Sequence, residues 1–206
     1  MHIQYVVSHR AMEINTNTHQ GPSFSLANRI ARLMWSLSSV FFKYSPKPFH
    51  AWRSFLLRCF GAKVGRGVHV YPHVSIWAPW NLVLHDECGI ANNVTLYSQG
   101  KITIGKRAVI SQGTHICTGT HDYTNEGFTL LTLPIHIGEQ AWIAADSFIH
   151  PGVIIGAGCV IGARSVVHKN MPEWTVCAGH PCKPIKPRVI GEFSKTALKV
   201  LTHEST

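Results

Sequence analysis

The chain is poor in acidic residues: 10 Asp and Glu stand against 19 Lys and Arg in 206 residues, a formal charge of +9. It also lacks any Lys/Arg run or aromatic-studded basic stripe of the kind that follows a phosphodiester backbone, which argues against nucleic acid as a partner. The spread-out positive charge favours a phosphorylated small molecule or a lipid surface instead. No CxxC pair occurs among the six cysteines, and no cleavable signal peptide opens the chain, so a reducing cytoplasm is the expected compartment. The most apolar window, residues 26–42, carries Asn28, Arg29 and Arg32 and falls short of the ~20 residues that a spanning helix needs.

What is present is a repeat. A branched or long aliphatic residue returns every sixth position through Val64, Val70, Ile76; Leu84, Ile90, Leu96; and Ile104, Ile110, Ile116. A polar and aromatic break follows from Asp122 to Leu133, and the series resumes at Ile137, Ile143, Ile149, Ile155, Ile161 and Val167. A period of six fits neither an α-helix nor a long alternating strand. It fits a triangular coil of about 18 residues, in which each short strand turns one aliphatic side chain inward and successive coils stack. The expected fold is therefore mainly β, a parallel β-helix of hexapeptide repeats, in preference to a sandwich of short strands.

Secondary features follow that frame. Four residues after each ladder position stands a small or modest residue, such as Val68, Cys88, Ala108, Ser147 or Cys159, suited to a cramped inward site near a corner. Glycine often follows the aliphatic (Gly65, Gly105, Gly138, Gly156, Gly162), where it would admit unusual backbone angles. The two-residue shifts at Leu82/Leu84, Ile102/Ile104 and Ile135/Ile137 read as longer corners. Residues 26–43 and 49–60 read as helices, separated by Pro46 and Pro48, that form a cap over the open end or touch an anionic membrane. The expected organisation is a flexible segment 1–25, a helical cap 26–62, a β-helix 63–186 with a projecting loop 122–134, and a tail 187–206 with a short helix at residues 192–201.

The residues Trp52-Arg53-Ser54-Phe55-Leu56-Leu57-Arg58 before Gly61-Ala62-Lys63-Val64-Gly65, then Cys117-Thr118-Gly119-Thr120-His121-Asp122, then Ala178-Gly179-His180-Pro181, carry a resemblance. In that order they resemble the hexapeptide-repeat acetyltransferases, and among these the colanic acid biosynthesis acetyltransferase group. The resemblance spans about residues 52–188. It implies an acetyl-CoA-dependent O-acetyltransferase acting on a sugar hydroxyl of an exopolysaccharide precursor, free or lipid-linked, and working as a homotrimer at or near the inner face of the membrane.

The resemblance assigns His121 as general base, and chemistry agrees, since neutral imidazole suits removal of a hydroxyl proton near neutral pH. Asp122 orients either the imidazole or the acceptor, or simply opens the loop. The asparagine that relatives place near the acceptor falls on Ala91 here, leaving Asn92 and Asn93 as adjacent candidates and implying a different acceptor pocket. Acetyl-CoA is expected between adjacent β-helices against Trp142, Ala144, Ala145, Gly162 and Ala163, with Lys169, Lys183 and Lys186 toward its phosphates. Tyr123 and Phe128 are expected to cover the pocket. Competing readings are Cys117 as an acyl-accepting nucleophile, an antibiotic as acceptor, a non-catalytic scaffold, and a zinc hydratase similar to the gamma-class carbonic anhydrases. The last is disfavoured because His115 and His121 fall on different faces of the triangle.

Overall fold

The computed structural model describes residues 12–15 and 23–191. Helix α1 (Leu26–Lys43) and helix α2 (His50–Cys59) lead into a left-handed parallel β-helix of about six turns. Each coil visits three faces in turn. The first face stacks Lys63–Val64, Leu82–Leu84, Ile102–Ile104, Ile135–Ile137 and Ile154–Ile155. The second stacks His69–Val70, Gly89–Ile90, Val109–Ile110, Trp142–Ile143, Val160–Ile161 and Thr175–Gly179. The third stacks Ser75–Ile76, Thr95–Tyr97, His115–Cys117, Phe148–Ile149 and Val166–Val167.

The aliphatic period becomes three interior ladders because strand registers pair like with like. Ile90 pairs with Ile110, Ile110 with Ile143 and Ile143 with Ile161 on the second face. All of these side chains are fully buried. Each contributes about 1.5–3 kcal/mol of transfer free energy, repeated coil by coil. The second ladder ends on Cys177, which pairs with Ile161 and is also buried. The corner positions Val68, Val74, Cys88, Val94, Ala108, Thr114, Ala141, Ser147, Val153, Cys159 and Ser165 are buried as the size pattern predicts. Gly100 and Thr120 are half-buried, Thr120 because the chain leaves the coil there and Gly100 at the corner beneath it.

Two expectations need correcting. Leu82/Leu84, Ile102/Ile104 and Ile135/Ile137 are more than longer corners, although a lengthened corner with a 3-10 turn at Pro79–Asn81 does precede the first pair. Each pair belongs to one three-residue strand with both aliphatics buried on the first face, in register Leu82 to Ile102 to Ile135. The glycines after the aliphatics serve close approach between coils: a Cβ on Gly105 would sit 2.5 Å from the Glu139 amide nitrogen, and one on Gly138 the same distance from that of Ala157. The left-handed conformation falls instead on corner residues that include Glu87, Asn93, Arg107, Gln140, Asp146 and Arg164.

The helical layer covers the first coil. Trp35, Phe42 and Leu57 join the core, and the Trp35 indole N–H donates to the Ile76 carbonyl at 2.8 Å. Arg53 is fully buried, with no carboxylate partner among the described residues. Its guanidinium donates instead to the Val70 carbonyl at 2.6 Å, the Ser45 hydroxyl at 2.7 Å and the Pro46 carbonyl at 2.8 Å, knitting the helix connection to the first coil. Met12–Asn15, expected within a flexible segment, is a strand paired with Leu130–Thr132. At the other end Thr175–Gly179 folds back on Cys182–Pro187 as an antiparallel hairpin through the cis His180–Pro181 bond. Arg188 fastens it by donating to the carbonyls of Gln140 and Gly158 at 2.8 and 2.9 Å. The helix expected at residues 192–201 lies outside the described residues.

Candidate active site

The break in the repeat occurs where the third face should turn into the first. Instead of turning, Gly119–His121 runs outward and returns as Leu130–Thr132, an antiparallel pair with Met12–Asn15 on its far edge. The projecting loop is thus shorter than expected: residues 130–132 are buried strand, and only the segment around 122–128 stands free of the ladder. Buried hydroxyls fix the corner beneath. Thr118 donates to the Tyr97 carbonyl and accepts from the Gly100 amide, both at 2.8 Å, and Ser98 donates to the Ala78 carbonyl at 3.0 Å. A hydroxyl at this turn satisfies backbone groups that the departing chain would otherwise orphan.

His121 ends the outgoing strand, half-buried. Its ring stacks on Phe128 with centroids 4.2 Å apart and planes 12° from parallel. Its Nδ1 lies 2.9 Å from the Phe128 carbonyl oxygen. A carbonyl only accepts, so in the neutral ring Nδ1 carries the proton and Nε2 keeps its lone pair. One residue therefore fixes both the plane and the tautomer of the imidazole. Phe128 itself adopts a left-handed backbone, with φ of 47°. The Phe128 ring, expected to cover the pocket, lies against His121. Tyr123 is exposed at the loop tip.

Asp122 does not reach the imidazole. Its Oδ1 accepts from the Thr124 amide at 3.0 Å and the Thr124 hydroxyl at 2.6 Å, an Asx turn that opens the loop. These hydrogen bonds hold its carboxyl below the usual range. Asn92 and Asn93 sit at the corner between the second and third faces, whereas His121 lies past the end of the third face. There the Asn92 Oδ1 accepts from the His73 amide at 3.3 Å, and Asn93 takes a left-handed conformation. One chain therefore does not gather the three expected acceptor residues around His121.

The expected donor residues do converge, at that same corner between the second and third faces. Ala144 and Gly162 follow Ile143 and Ile161, and the Ala144 amide donates to the Ile161 carbonyl at 2.9 Å. Ala145 and Gly162's neighbour Ala163 continue the turn, with the Arg164 amide donating to the Ala145 carbonyl at 2.8 Å. Trp142 flanks this column on the outer surface, anchored by its indole N–H to the Ser111 hydroxyl at 3.0 Å. The column extends further than expected, through Ala178 and Gly179. A Cβ on Gly162 would come within 2.7 Å of the Ala178 Cβ, so glycine is what lets the last coils close. Ala178-Gly179 is visible in the sequence as a motif, but only the stacking shows that it continues this column. Lys183 pairs with Ala178 and Lys186 with Val176, which brings both cations beside the upper end of the column. Lys169 follows Val166–Val167 and stands exposed at the next corner, away from the column of its own chain.

Cys117 is a poor nucleophile here. Its thiol donates to the Gly119 carbonyl at 3.3 Å, and burial raises it above the ordinary range, against thiolate formation at neutral pH. His115 stacks on Phe148, with centroids 5.0 Å apart, on the outer third face, while His121 belongs to the hairpin. Among the described residues no group of three or more His, Cys, Asp and Glu side chains is placed to hold a metal ion.

Stacked hexapeptide coils, interrupted once by a histidine-bearing hairpin and lined at a neighbouring corner by small residues, define a hexapeptide-repeat transferase. Residues 134–169 match the family model described as bacterial transferase hexapeptide (six repeats). WcaF of Escherichia coli (strain K12), which bears the name of a colanic acid biosynthesis acetyltransferase, is 47% identical over 158 residues, covering 77% of this chain and 87% of its own. A hexapeptide-repeat acetyltransferase of Vibrio cholerae solved with acetyl coenzyme A superimposes with a TM-score of 0.73 at 25% identity, covering 81% of this chain and 91% of its own. A galactoside acetyltransferase solved with coenzyme A gives 0.72 at 26%, covering 83% and 89%. The chain belongs to the hexapeptide-repeat acetyltransferases, alongside the colanic acid biosynthesis acetyltransferase WcaF.

Proposed function

We propose that this chain transfers an acetyl group from acetyl-CoA to a hydroxyl of a saccharide, free or lipid-linked, in exopolysaccharide assembly. The observation that carries the reading is the Nδ1–H bond from His121 to the Phe128 carbonyl, which leaves Nε2 free to accept a proton. Nε2 takes the proton of the acceptor hydroxyl as its oxygen attacks the thioester carbonyl. The C–O bond forms, a backbone amide or polar donor holds the oxyanion, the C–S bond breaks, and the imidazolium returns its proton to the thiolate. No covalent enzyme intermediate is needed, in keeping with the protonated state of Cys117.

The donor fits the small-residue column, where a narrow pantetheine arm runs close to backbone and Lys183 and Lys186 offer point charges for phosphate. Base and column occupy different corners of one chain. That separation supports a site completed between subunits of a homotrimer, the hairpin of one chain facing the column of the next. That arrangement also gives Lys169, Asn92 and Asn93 a route to the donor and acceptor that a single chain denies them. Six cysteines free of disulfides, with the Cys159 and Cys177 thiols 3.9 Å apart in hydrogen-bond contact, support a cytoplasmic setting.

Thiol release from acetyl-CoA, measured with a panel of nucleotide sugars, lipid-linked saccharides and simple glycosides, tests the reading. The expected outcome is acceptor-dependent release that falls by about 10²–10⁴ in His121→Asn, with coenzyme A binding retained. Absence of both release and coenzyme A binding in the wild type refutes it in favour of a scaffold.

A further inference from the structure

Helix α1 is apolar on two opposite sides. Trp35 and Phe42 face the coils and are buried. Leu26, Leu33, Leu37 and Phe41 recur at helical spacing on the other side, and Leu37 and Phe41 are 61% and 68% exposed. Helix α2 continues this outer surface. The Trp52 indole N–H donates to the Phe41 carbonyl at 3.4 Å, and its exposed ring lies 5.9 Å from that of exposed Phe55. A soluble monomer seldom leaves so continuous an apolar patch open.

The charge around the patch has one sign. No Asp or Glu occurs between Glu13 and Asp86, an interval that holds eight Lys and Arg. Arg53 is buried and the Arg32 guanidinium lies over the Trp77 ring at 4.5 Å, whereas Arg29, Lys43, Lys47, Arg58 and Lys63 are exposed. Among the described residues no helix is long and apolar enough to cross a membrane.

We propose that the outer faces of α1 and α2 lie in the surface of an anionic lipid bilayer, with the leucines and phenylalanines below the headgroups and Trp52 at their level. The flanking cations then meet acidic headgroups. A second copy docked face to face on this patch would bring the same cations against one another with no acid to offset them, so the charge selects lipid over self-association. This placement is independent of the transfer reaction and would bring a lipid-linked acceptor to the enzyme in two dimensions.

Co-sedimentation of the full chain with vesicles of phosphatidylcholine alone, or with added phosphatidylglycerol, tests the proposal, with oligomeric mass followed by light scattering. The wild type is expected to bind the anionic vesicles at least about ten-fold more than the neutral ones, and to be released by salt. Leu33→Glu/Leu37→Glu/Phe41→Glu should abolish binding with oligomeric mass unchanged. Should that variant not fold, Lys43→Glu/Lys47→Glu keeps the question open to decision, since it must also weaken binding to anionic vesicles. Wild type that ignores anionic vesicles overturns the proposal, as does retained binding in the triple variant. A fall in oligomeric mass on the same substitutions also overturns it, because the patch is then a subunit contact.

Discussion

The coil stack and the His121 hairpin are built on opposite principles. In the stack, every inward position is one rung of a ladder and each rung repeats its neighbours: Ile90, Ile110, Ile143 and Ile161 do the same work four times. In the hairpin, nothing repeats. His121 depends on one ring and one carbonyl, both from Phe128, at the end of a loop opened by a single Asx turn. Redundancy makes the scaffold rigid, and a rigid scaffold is what lets a singular arrangement hold its geometry.

Damage to the two regions should therefore read out differently. The largest effect on stability is expected from a mid-stack truncation. Ile110→Ala leaves a cavity between two coils and should cost about 2–5 kcal/mol in chemical denaturation. Turnover per folded molecule should be unchanged at low temperature, and a drop in turnover without loss of stability would dissolve the distinction between stack and hairpin. Next comes Phe128→Leu, which keeps the carbonyl and removes the stacking ring. We expect kcat to fall about ten-fold, or ~1.4 kcal/mol in activation free energy, with the KM for acetyl-CoA and the melting temperature held. An unchanged kcat would show that the ring is only loop packing.

The smallest effect is a pH dependence that belongs to the stack. Burial lowers His115 and His150 on the third face, so the unfolded chain binds more protons than the folded one once pH falls below about 6.5. Stability should be level above that pH and decline as pH falls toward the depressed folded-state values. Replacing both rings, as His115→Phe/His150→Phe, should flatten the decline in thermal melts. A slope of opposite sign in the wild type would show that these rings gain rather than lose proton affinity on folding.

The ladders were legible because burial imposes a period on the sequence, and a period survives without knowledge of neighbours. Val64 through Val167 announce their own inward direction. The glycines were found but misread: what Gly105 and Gly138 avoid is the amide of the next coil, a contact between residues more than a dozen positions apart. Likewise Leu82/Leu84 looked like an irregular corner, because the pairing that widens the strand involves Ile102 and Ile104. At the site, its place before the break singles out His121 as the candidate base. Asp122 is open in sequence to orienting the imidazole or the acceptor or to opening the loop, and the turn with Thr124 is the last of these. The extension of the small-residue column to Ala178 and Gly179 needed the final coil to be stacked.

By itself, then, the sequence determined the coil, its inward residues, the family and the candidate base, because each of these is written in spacing or in a contiguous motif. What orients the His121 ring, which corners hold that ring and the small-residue column, and that α1 is apolar on both sides came only from the tertiary structure. Those depend on which residues meet across coils and which face meets solvent, and distance along the chain carries no record of either.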